Sequence, residues 1–378
     1  MDIETLRIAL LSLRGCTEDT PFTDDIVVFR VKGKIFACID IARPDRVVLK
    51  SAPQRTDELL AHFSSVVPAK YWNKRNWIEV LFGGDVTDDQ ILSMVRLAYA
   101  IVLGGFTKKA QIAFFREGLA SDTFFYHTNT CSSTMEQAWA VGDAACASGV
   151  HTMACVHSDL QKHGRGQTGT HWESQNGKNL TFTMAVSPTC LKPERSFLLL
   201  QTVAVALHKT ISQLLLANKE LLTIKWPNDI YYADKKLCGT LIQNNISGHT
   251  FRLSAIGIGL NVNQTVFPTW VPNPVSLAEI LGAEISRFVL LEDFLRHFGN
   301  LYADLKNTIT EAPQSATSTL HRYYMRHLFR SHGTYTWRDA DTTFQASIAD
   351  VLPTGSLVLR LPDGSQRTYA FKEVEYVL

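Results

Sequence analysis

The segment His163-Gly-Arg-Gly-Gln-Thr-Gly-Thr-His-Trp172 places Arg165 and Trp172 among glycines, where a backbone loop can close over an anionic ligand. Gly164, Gly166 and Gly169 spell G-x-G-x-x-G. In a dinucleotide-binding fold that pattern follows a strand and opens a helix whose N-terminus holds a pyrophosphate. Here a strand at His151 to Val156 precedes it, but Trp172-Glu-Ser-Gln-Asn-Gly177 and the alternating run Leu180-Thr-Phe-Thr-Met184 follow. The glycines therefore lie between strands, and the Lys-Ser/Thr that completes a P-loop is missing.

Three further segments carry residue types that an apolar core does not require: Cys131-Ser-Ser-Thr-Met135, Lys225-Trp-Pro-Asn-Asp229 and Gly257-Ile-Gly-Leu-Asn-Val-Asn263. Lys225 ends an apolar strand and precedes Trp226-Pro227, a rigid pair that fixes the chain direction. A lone lysine at a strand end is ordinarily a solvated surface residue. Beside a glycine loop that carries Arg165, it reads instead as the second of two positioned cations. Such a pair suits a reaction that builds negative charge on a phosphate. Gly257 and Gly259 mark a strand approached closely by another backbone or by a ligand, and Gly239 in Lys236-Leu-Cys-Gly-Thr-Leu241 carries the same two readings.

The elements that must position these residues follow from periodicity. A helix at 2–13, strands at Ile26 to Val31, Lys34 to Ile41 and Arg46 to Lys50, a helix near Thr56 to Phe63, a strand at Trp77 to Phe82 and a helix at Asp88 to Leu103 form a first α+β unit. Thr87 caps the last helix, Asp88 and Asp89 sit at its positive end, and Gly104-Gly105 stop it. The boundary falls between Lys108 and Ser121. The next region mixes strands (Phe124 to His127, His151 to His157, Leu180 to Val186, Thr223 to Lys225, Phe251 to Leu260) with helices at Thr134 to Ala140, Phe197 to Leu216, Leu290 to Thr308 and Ser315 to Phe329. Beyond it, Thr334 to Arg338, Phe344 to Val351, Ser356 to Leu361 and Thr368 to Leu378 read as β, with Asp363-Gly364 as a turn, which suggests a small barrel.

With 378 residues, 46% of them hydrophobic and 19% charged, the chain is long enough for two or three domains with real cores. A net charge of +1 is neutral on polyanionic partners. Met1-Asp-Ile-Glu-Thr lacks the basic start of a secretory signal, and no apolar run approaches the roughly 20 residues of a membrane span. The seven cysteines are odd in number and contain no C-x-x-C pair, which predicts reduced thiols and a cytoplasmic setting. His151, His157 and His163 recur every six residues without a recognisable zinc-ligand spacing.

Taken together, the central segments resemble the biotin protein ligases. The resemblance rests on Gly164-Arg-Gly-Gln-Thr-Gly-Thr-His-Trp172, Gly177-Lys-Asn-Leu180, Lys225 to Asp229, Lys236 to Leu241 and Gly257 to Asn263, in that order, and runs from about Thr123 to the C-terminus. It implies an α+β architecture: a central mixed-sheet catalytic domain of the biotin/lipoate ligase type over 121–329 and an SH3-like β-barrel over 330–378. It also implies ATP-dependent attachment of biotin, with Mg2+, to a lysine of a biotin carboxyl carrier protein or domain of an acyl-CoA carboxylase. Biotinyl-5'-AMP is the intermediate. A lipoate ligase runs the same adenylation and is the alternative, as is a biotin-sensing regulatory protein with a DNA-binding N-terminal domain.

By the same likeness, Ser133, Thr134, Gln161, Gly164, Arg165, Gly166, Trp172, Lys225, Gly239, Gly257 and Gly259 line the biotin site. Arg165, Gln167, Trp172, Lys225, Asn228 and Asn261 face ATP or the adenylate, and Arg165 and Lys225 carry the catalysis. Two departures stand out. Gln167, Thr168 and Thr170 leave Arg165 as the loop's single charge where relatives carry further arginines, which predicts a leakier intermediate. The first helix reads Ser133-Thr134-Met135 where relatives show S-T-N, so no amide role carries to Met135.

The first 116 residues resemble the YjbR/MmcQ family through Pro21-Phe22, the hairpin Phe29 to Phe36, Asn73-Lys-Arg-Asn-Trp77 and the helix at Asp88 to Leu103. That resemblance implies a compact α+β fold of double-wing type and raises DNA binding. Lys70-Tyr-Trp-Asn-Lys-Arg-Asn-Trp77 does interleave basic and aromatic side chains. Yet 16 Lys+Arg against 14 Asp+Glu in residues 1–116 leave only +2, short of the basic stripe that counterion release exploits. Carrier recognition, homodimerisation or simple fusion is the expectation for this unit.

Overall fold

The computed structural model describes residues 1–147, 152–166, 171–311 and 315–377, without the side chains of 146–147, 308–311 and 315–318. The chain opens with α1 (Ile3–Leu11), β1 (Cys16–Asp19), β2 (Ile26–Val31), β3 (Lys34–Asp40), β4 (Arg46–Lys50), α2 (Pro53–His62), β5 (Val66–Pro68), β6 (Trp77–Leu81), α3 (Asp88–Gly104) and α4 (Lys108–Glu117). The six strands form one antiparallel sheet in the order β1-β2-β3-β4-β6-β5. Phe29, Phe36, Leu49 and Ile78 on its inner face bury against Ile91, Val95 and Tyr99 of α3. The α3 start is the expected one: Thr87 and Gln90 form a reciprocal capping box.

Two short strands, β1 and β5, and helix α4 were not legible in the periodicity. α4 occupies the segment read as a boundary, and it is a shared wall rather than a linker. Phe114 enters the N-terminal core and Phe115, about 100° around the helix, enters the central one. Further ties cross at the same place. Ser286 N–H donates to Ala100 O at 3.1 Å, Gln90 Nε2 donates to Leu216 O at 2.9 Å, and Arg14 pairs with Glu292. A β-carbon on Gly104 would lie 3.0 Å from the Ser286 nitrogen, so glycine permits this contact.

The central unit contains β7 (Thr123–Cys131), α5 (Thr134–Ala147), β8 (Met153–Gln161), β9 (Leu180–Val186), α6 (Phe197–Ser212), β10 (Leu222–Lys225), β11 (Asp229–Tyr232), β12 (Lys235–Ser247), β13 (Thr250–Leu260), α7 (Leu277–Leu281), α8 (Arg287–Glu311) and α9 (Ser315–Arg326). β8 begins at Met153, and His151, read as its start, lies outside the described residues. The seven strands run in the order β10-β11-β12-β13-β9-β8-β7, antiparallel except for the parallel pair β7 and β8. α6 is apolar on nearly every side because sheet, α8 and α9 enclose it. α5 covers the opposite face through small residues: Ala138 packs there, and a β-carbon on Gly142 would sit 2.6 Å from that of Ala185.

The C-terminal unit is a five-stranded antiparallel sheet, β14 (Tyr335–Asp339), β15 (Thr343–Val351), β16 (Leu357–Arg360), β17 (Gln366–Tyr369) and β18 (Val374–Tyr376), ordered β17-β16-β15-β14-β18. The stretch read as one strand from Thr368 is broken by a turn in which Lys372 takes a positive φ of 74°, and Leu378 lies outside the described residues. Trp337 is fully buried and donates from Nε1 to Ala346 O at 3.0 Å. The six cysteines whose side chains are described are free thiols, four of them buried. Among the described residues no helix is long and apolar enough to cross a membrane.

Candidate functional site

The register of β12 and β13 sets Gly239 directly opposite Gly259 and Leu241 opposite Gly257. Pleat alternation turns these positions to the α5 side of the sheet. The absence of side chains there makes a floor, and the Trp172 indole lies on it. A β-carbon on Gly239 would be 2.9 Å from the indole, and one on Gly259 would overlap it. Gly257 admits Met135 Cε in the same way, at 2.8 Å. Trp172 reaches this place because its N–H donates to Gly164 O at 2.9 Å and Arg165 bridges to His171, closing the neck of the glycine loop. The loop's tip, with Gln167, Thr168, Gly169 and Thr170, lies outside the described residues.

Above the floor is a cavity of about 280 Å3. One end is polar. The Thr134 N–H and hydroxyl both donate to Gln161 Oε1, at 2.9 and 3.1 Å, and the Thr134 hydroxyl lies 2.8 Å from that of Thr183. Ser133 Oγ accepts from Met135 N–H at 3.2 Å. These groups sit at the N-terminus of α5, where the helix dipole favours an electron-rich ligand atom. The Trp172 Nε1–H is buried and has no acceptor among the described residues. An unpaired buried donor costs about 1–3 kcal/mol, so the indole is poised for a ligand acceptor.

The other end is charged, and here the structure departs from expectation. Lys225 does not line the cavity. Its ammonium lies 3.2 Å from the Tyr231 hydroxyl and over the rings of Tyr231 and Tyr376, at 4.7 and 5.1 Å, and burial lowers its pKa. Lys236 lines the cavity instead, with Nζ 2.5 Å from Asp229 Oδ2, and Asp229 lines it too. The cause is register: Lys225 pairs with Asp229, but the β11–β12 hairpin sets the next strand, and Lys236, nearer the glycine floor. The Lys236-Leu-Cys-Gly239 spacing was visible; a role for its lysine was not assigned.

Ser133, Thr134, Gln161, Arg165, Gly166, Trp172, Gly239, Gly257, Gly259 and Asn261 do meet at the cavity. Gly164 stands just behind it, where a β-carbon would strike the Trp172 carbonyl at 2.5 Å. Arg165 pairs with Glu136 of α5, both about half exposed. The Asn261 side chain holds main chain: its Nδ2 donates to Val275 O at 3.1 Å and so tethers the segment that follows β13. Asn228 points away: its Nδ2 donates to Thr240 O at 2.9 Å and it lines a different cavity.

Sequence reasoning missed the segment 266–274, whose Phe267, Trp270 and Val271 wall the cavity's mouth, Trp270 being 61% exposed. The aromatic and proline content of Phe267-Pro-Thr-Trp-Val-Pro272 was the available signal. Among the described residues, one group is spaced as metal ligands are: His127, His157 and Asp159. It faces α8 across the sheet, and Lys108 and Arg287 already hold both Asp159 oxygens at 2.8 Å.

Residues 147–262 match the biotin/lipoate A/B protein ligase family, and residues 11–101 match the YjbR family. The chain is 30% identical over 196 residues to the bifunctional ligase/repressor BirA of Bacillus spizizenii, covering 50% of this chain and 58% of that protein. It is 28% identical over 92 residues to the uncharacterized protein YbdF of Escherichia coli O157:H7, 24% of this chain and 75% of that one. The chain thus spans little more than half the length of the BirA relatives it matches. The structure of the Aquifex aeolicus biotin protein ligase in complex with biotin and ATP superposes with a TM-score of 0.53 at 19% identity, over 67% of this chain and 99% of that one. The chain therefore joins a YjbR domain to a biotin/lipoate ligase domain, and the second has the fold of the biotin protein ligases.

Proposed function

We propose that the chain activates biotin with ATP and transfers it to a lysine of a biotin carboxyl carrier domain of an acyl-CoA carboxylase, in the cytoplasm. The observation that carries this reading is the Trp172 indole on the Gly239 and Gly259 floor, between a polar helix end and the Lys236 ammonium. The ureido ring of biotin suits the Ser133, Thr134 and Gln161 end. Its thiophane ring and alkyl chain suit the Trp172 indole that covers the glycine floor. Its carboxylate then lies toward Lys236 and Arg165.

A biotin carboxylate oxygen attacks the α-phosphorus of ATP, the bond to the β-phosphate bridging oxygen breaks, and pyrophosphate leaves. The acceptor amine then attacks the acyl carbon, the acyl–oxygen bond breaks, AMP leaves, and the nitrogen loses a proton, for which Asp229 is a carboxylate within the lining. Charge builds on phosphoryl and acyl oxygens, so fixed cations at Lys236 and Arg165 stabilise both transition states. Mg2+ carried by the ATP phosphates would add to the charge neutralisation that Lys236 and Arg165 supply. Segment 266–274 screens the hydrolysable mixed anhydride from water.

In the same reading the C-terminal sheet closes as an SH3-like barrel, supported by the bulge between Ile348 and Asp350 that lets β15 pair with β14 at one end and β16 at the other. The N-terminal unit takes the double-wing form. Pyrophosphate exchange into ATP tests the proposal: exchange with biotin is expected, and exchange with lipoate but not biotin overturns it in favour of a lipoate ligase. The N-terminal unit's net +2 and its ties to α8 argue for a structural or carrier-recognition role rather than DNA binding, and a gel shift at low salt overturns that part.

A further inference from the structure

A second cavity, of about 540 Å3, lies on the opposite side of the sheet, between β12, the start of α6 and two turns of the C-terminal sheet. β11 stays in register with β12 only to Cys238, whereas β12 continues to Ser247. From Gly239 onward β12 therefore has β13 on one side and, among the described residues, no strand on the other. The Thr240 carbonyl points to the open side, where it meets Asn228 Nδ2. In an antiparallel strand the N–H and C=O of one residue share a direction that alternates along the chain. Ile242 and Asn244 thus turn their backbone groups outward as well, and among the described residues neither has a backbone partner there.

Two buried polar atoms line the same space without partners among the described residues: Asn228 Oδ1 and Thr240 Oγ1, on residues 3% and 5% exposed. Phe197, Leu200 and Phe371 supply apolar walls. Thr240 and Leu241 line both this cavity and the one that holds Trp172, so the two sites share one stretch of strand.

We propose that this cavity is a subsite for the acceptor polypeptide. An extended segment of the carrier pairs with the open edge of β12. Side chains of a strand alternate between faces. The acceptor lysine, on the Gly239 and Leu241 face, is delivered to the adenylate. The residue next to it in sequence, on the Thr240 and Ile242 face, drops an apolar side chain between Phe197 and Phe371, and a carrier N–H donates to Asn228 Oδ1. This rests on the ligase reading above, and it assigns Asn228 and Thr240 to acceptor choice rather than to the nucleotide.

The test uses the full chain with ATP, biotin and a biotin-free carrier domain, reading pyrophosphate exchange and transfer to the carrier separately. Thr354→Trp fills the cavity from an exposed turn, and Ile242→Pro removes one outward N–H without touching the β13 ladder. Exchange within twofold of the parent and a tenfold or larger loss in kcat/KM for the carrier, with transfer to hydroxylamine unchanged, is the expected result. Unchanged carrier transfer in both variants overturns the proposal, as does a change confined to the oligomeric state, which assigns the edge to a second copy of this chain. Hydrogen exchange on the parent protein needs no variant: the Ile242 and Asn244 amides gain protection on adding the carrier, and no gain overturns the proposal. Failure of exchange with biotin in the parent overturns the ligase reading itself and is distinguishable from these outcomes.

Discussion

The Trp172 indole occupies the space that a β-carbon on Gly259 would need. Two residues 87 positions apart are thus complementary in shape: one supplies a large flat side chain and the other the absence of one. Gly259→Ala must lift the indole from the floor while leaving the β13 ladder intact. Displacing a binding group by about 1 Å can cost on the order of 10²-fold. A biotin KM raised by tenfold or more is expected, with a shifted tryptophan emission and a near-parental Tm. A parental KM would show that Trp172 does not shape the site.

Lys236→Ala should lower pyrophosphate exchange by about 10²–10³-fold, the usual effect of removing one preorganised electrostatic stabiliser. Lys225→Ala should instead act mainly on stability, because Lys225 packs on Tyr231 and Tyr376 at the seam with the C-terminal sheet. Exchange rates and urea midpoints of the two variants separate the roles. Loss of exchange in Lys225→Ala alone would reverse them.

Arg165 must leave Glu136 to meet a phosphate. Glu136→Gln frees the guanidinium, so a several-fold lower KM for ATP is expected at unchanged Tm, an exposed ion pair being worth at most about 1 kcal/mol. Arg165→Ala should release biotinyl-AMP faster in a filter assay. Against arginine-rich relatives, the parent chain itself should release it faster than they do, and equal retention would remove the link between loop charge and adenylate hold.

Burial takes the pKa of His208 down to about 4 and lowers those of His127 and His157. Their folded pKa values lie below the unfolded 6.5, so the unfolded chain binds protons that the folded one refuses. Full stability is present above pH 6.5 and declines as pH falls through 6.5 toward 4. For His208 alone the loss between pH 7 and pH 5 is about 2 kcal/mol. Urea midpoints should fall accordingly, and His208→Gln should flatten the slope.

Gly104→Leu should separate the N-terminal unit from α8, since any side chain there meets the backbone at Ile285 and Ser286. Calorimetry should then resolve two transitions where the parent shows one. One transition in both would show that the shared α4 core suffices to couple the units.

Much of the element list was legible because it rests on local rules. The Thr87 cap, the Lys32-Gly33 turn between the apolar runs of β2 and β3, the alternation at the start of β9 and the apolar stretch of α6 each declare themselves locally. Helix α4 did not, because Phe114 and Phe115 serve two cores at once and break a single-faced pattern. The chain's residue types and spacing by themselves singled out the glycine loop, Arg165, Lys225 and the Gly257 to Asn263 strand as candidates for chemistry on a phosphate. Only the tertiary structure decided which lysine lines the cavity. Lys225 and Lys236 are alike in sequence character, and the hairpin register, a long-range hydrogen-bonding choice, sends one to the aromatic seam and the other to Asp229 at the cavity wall.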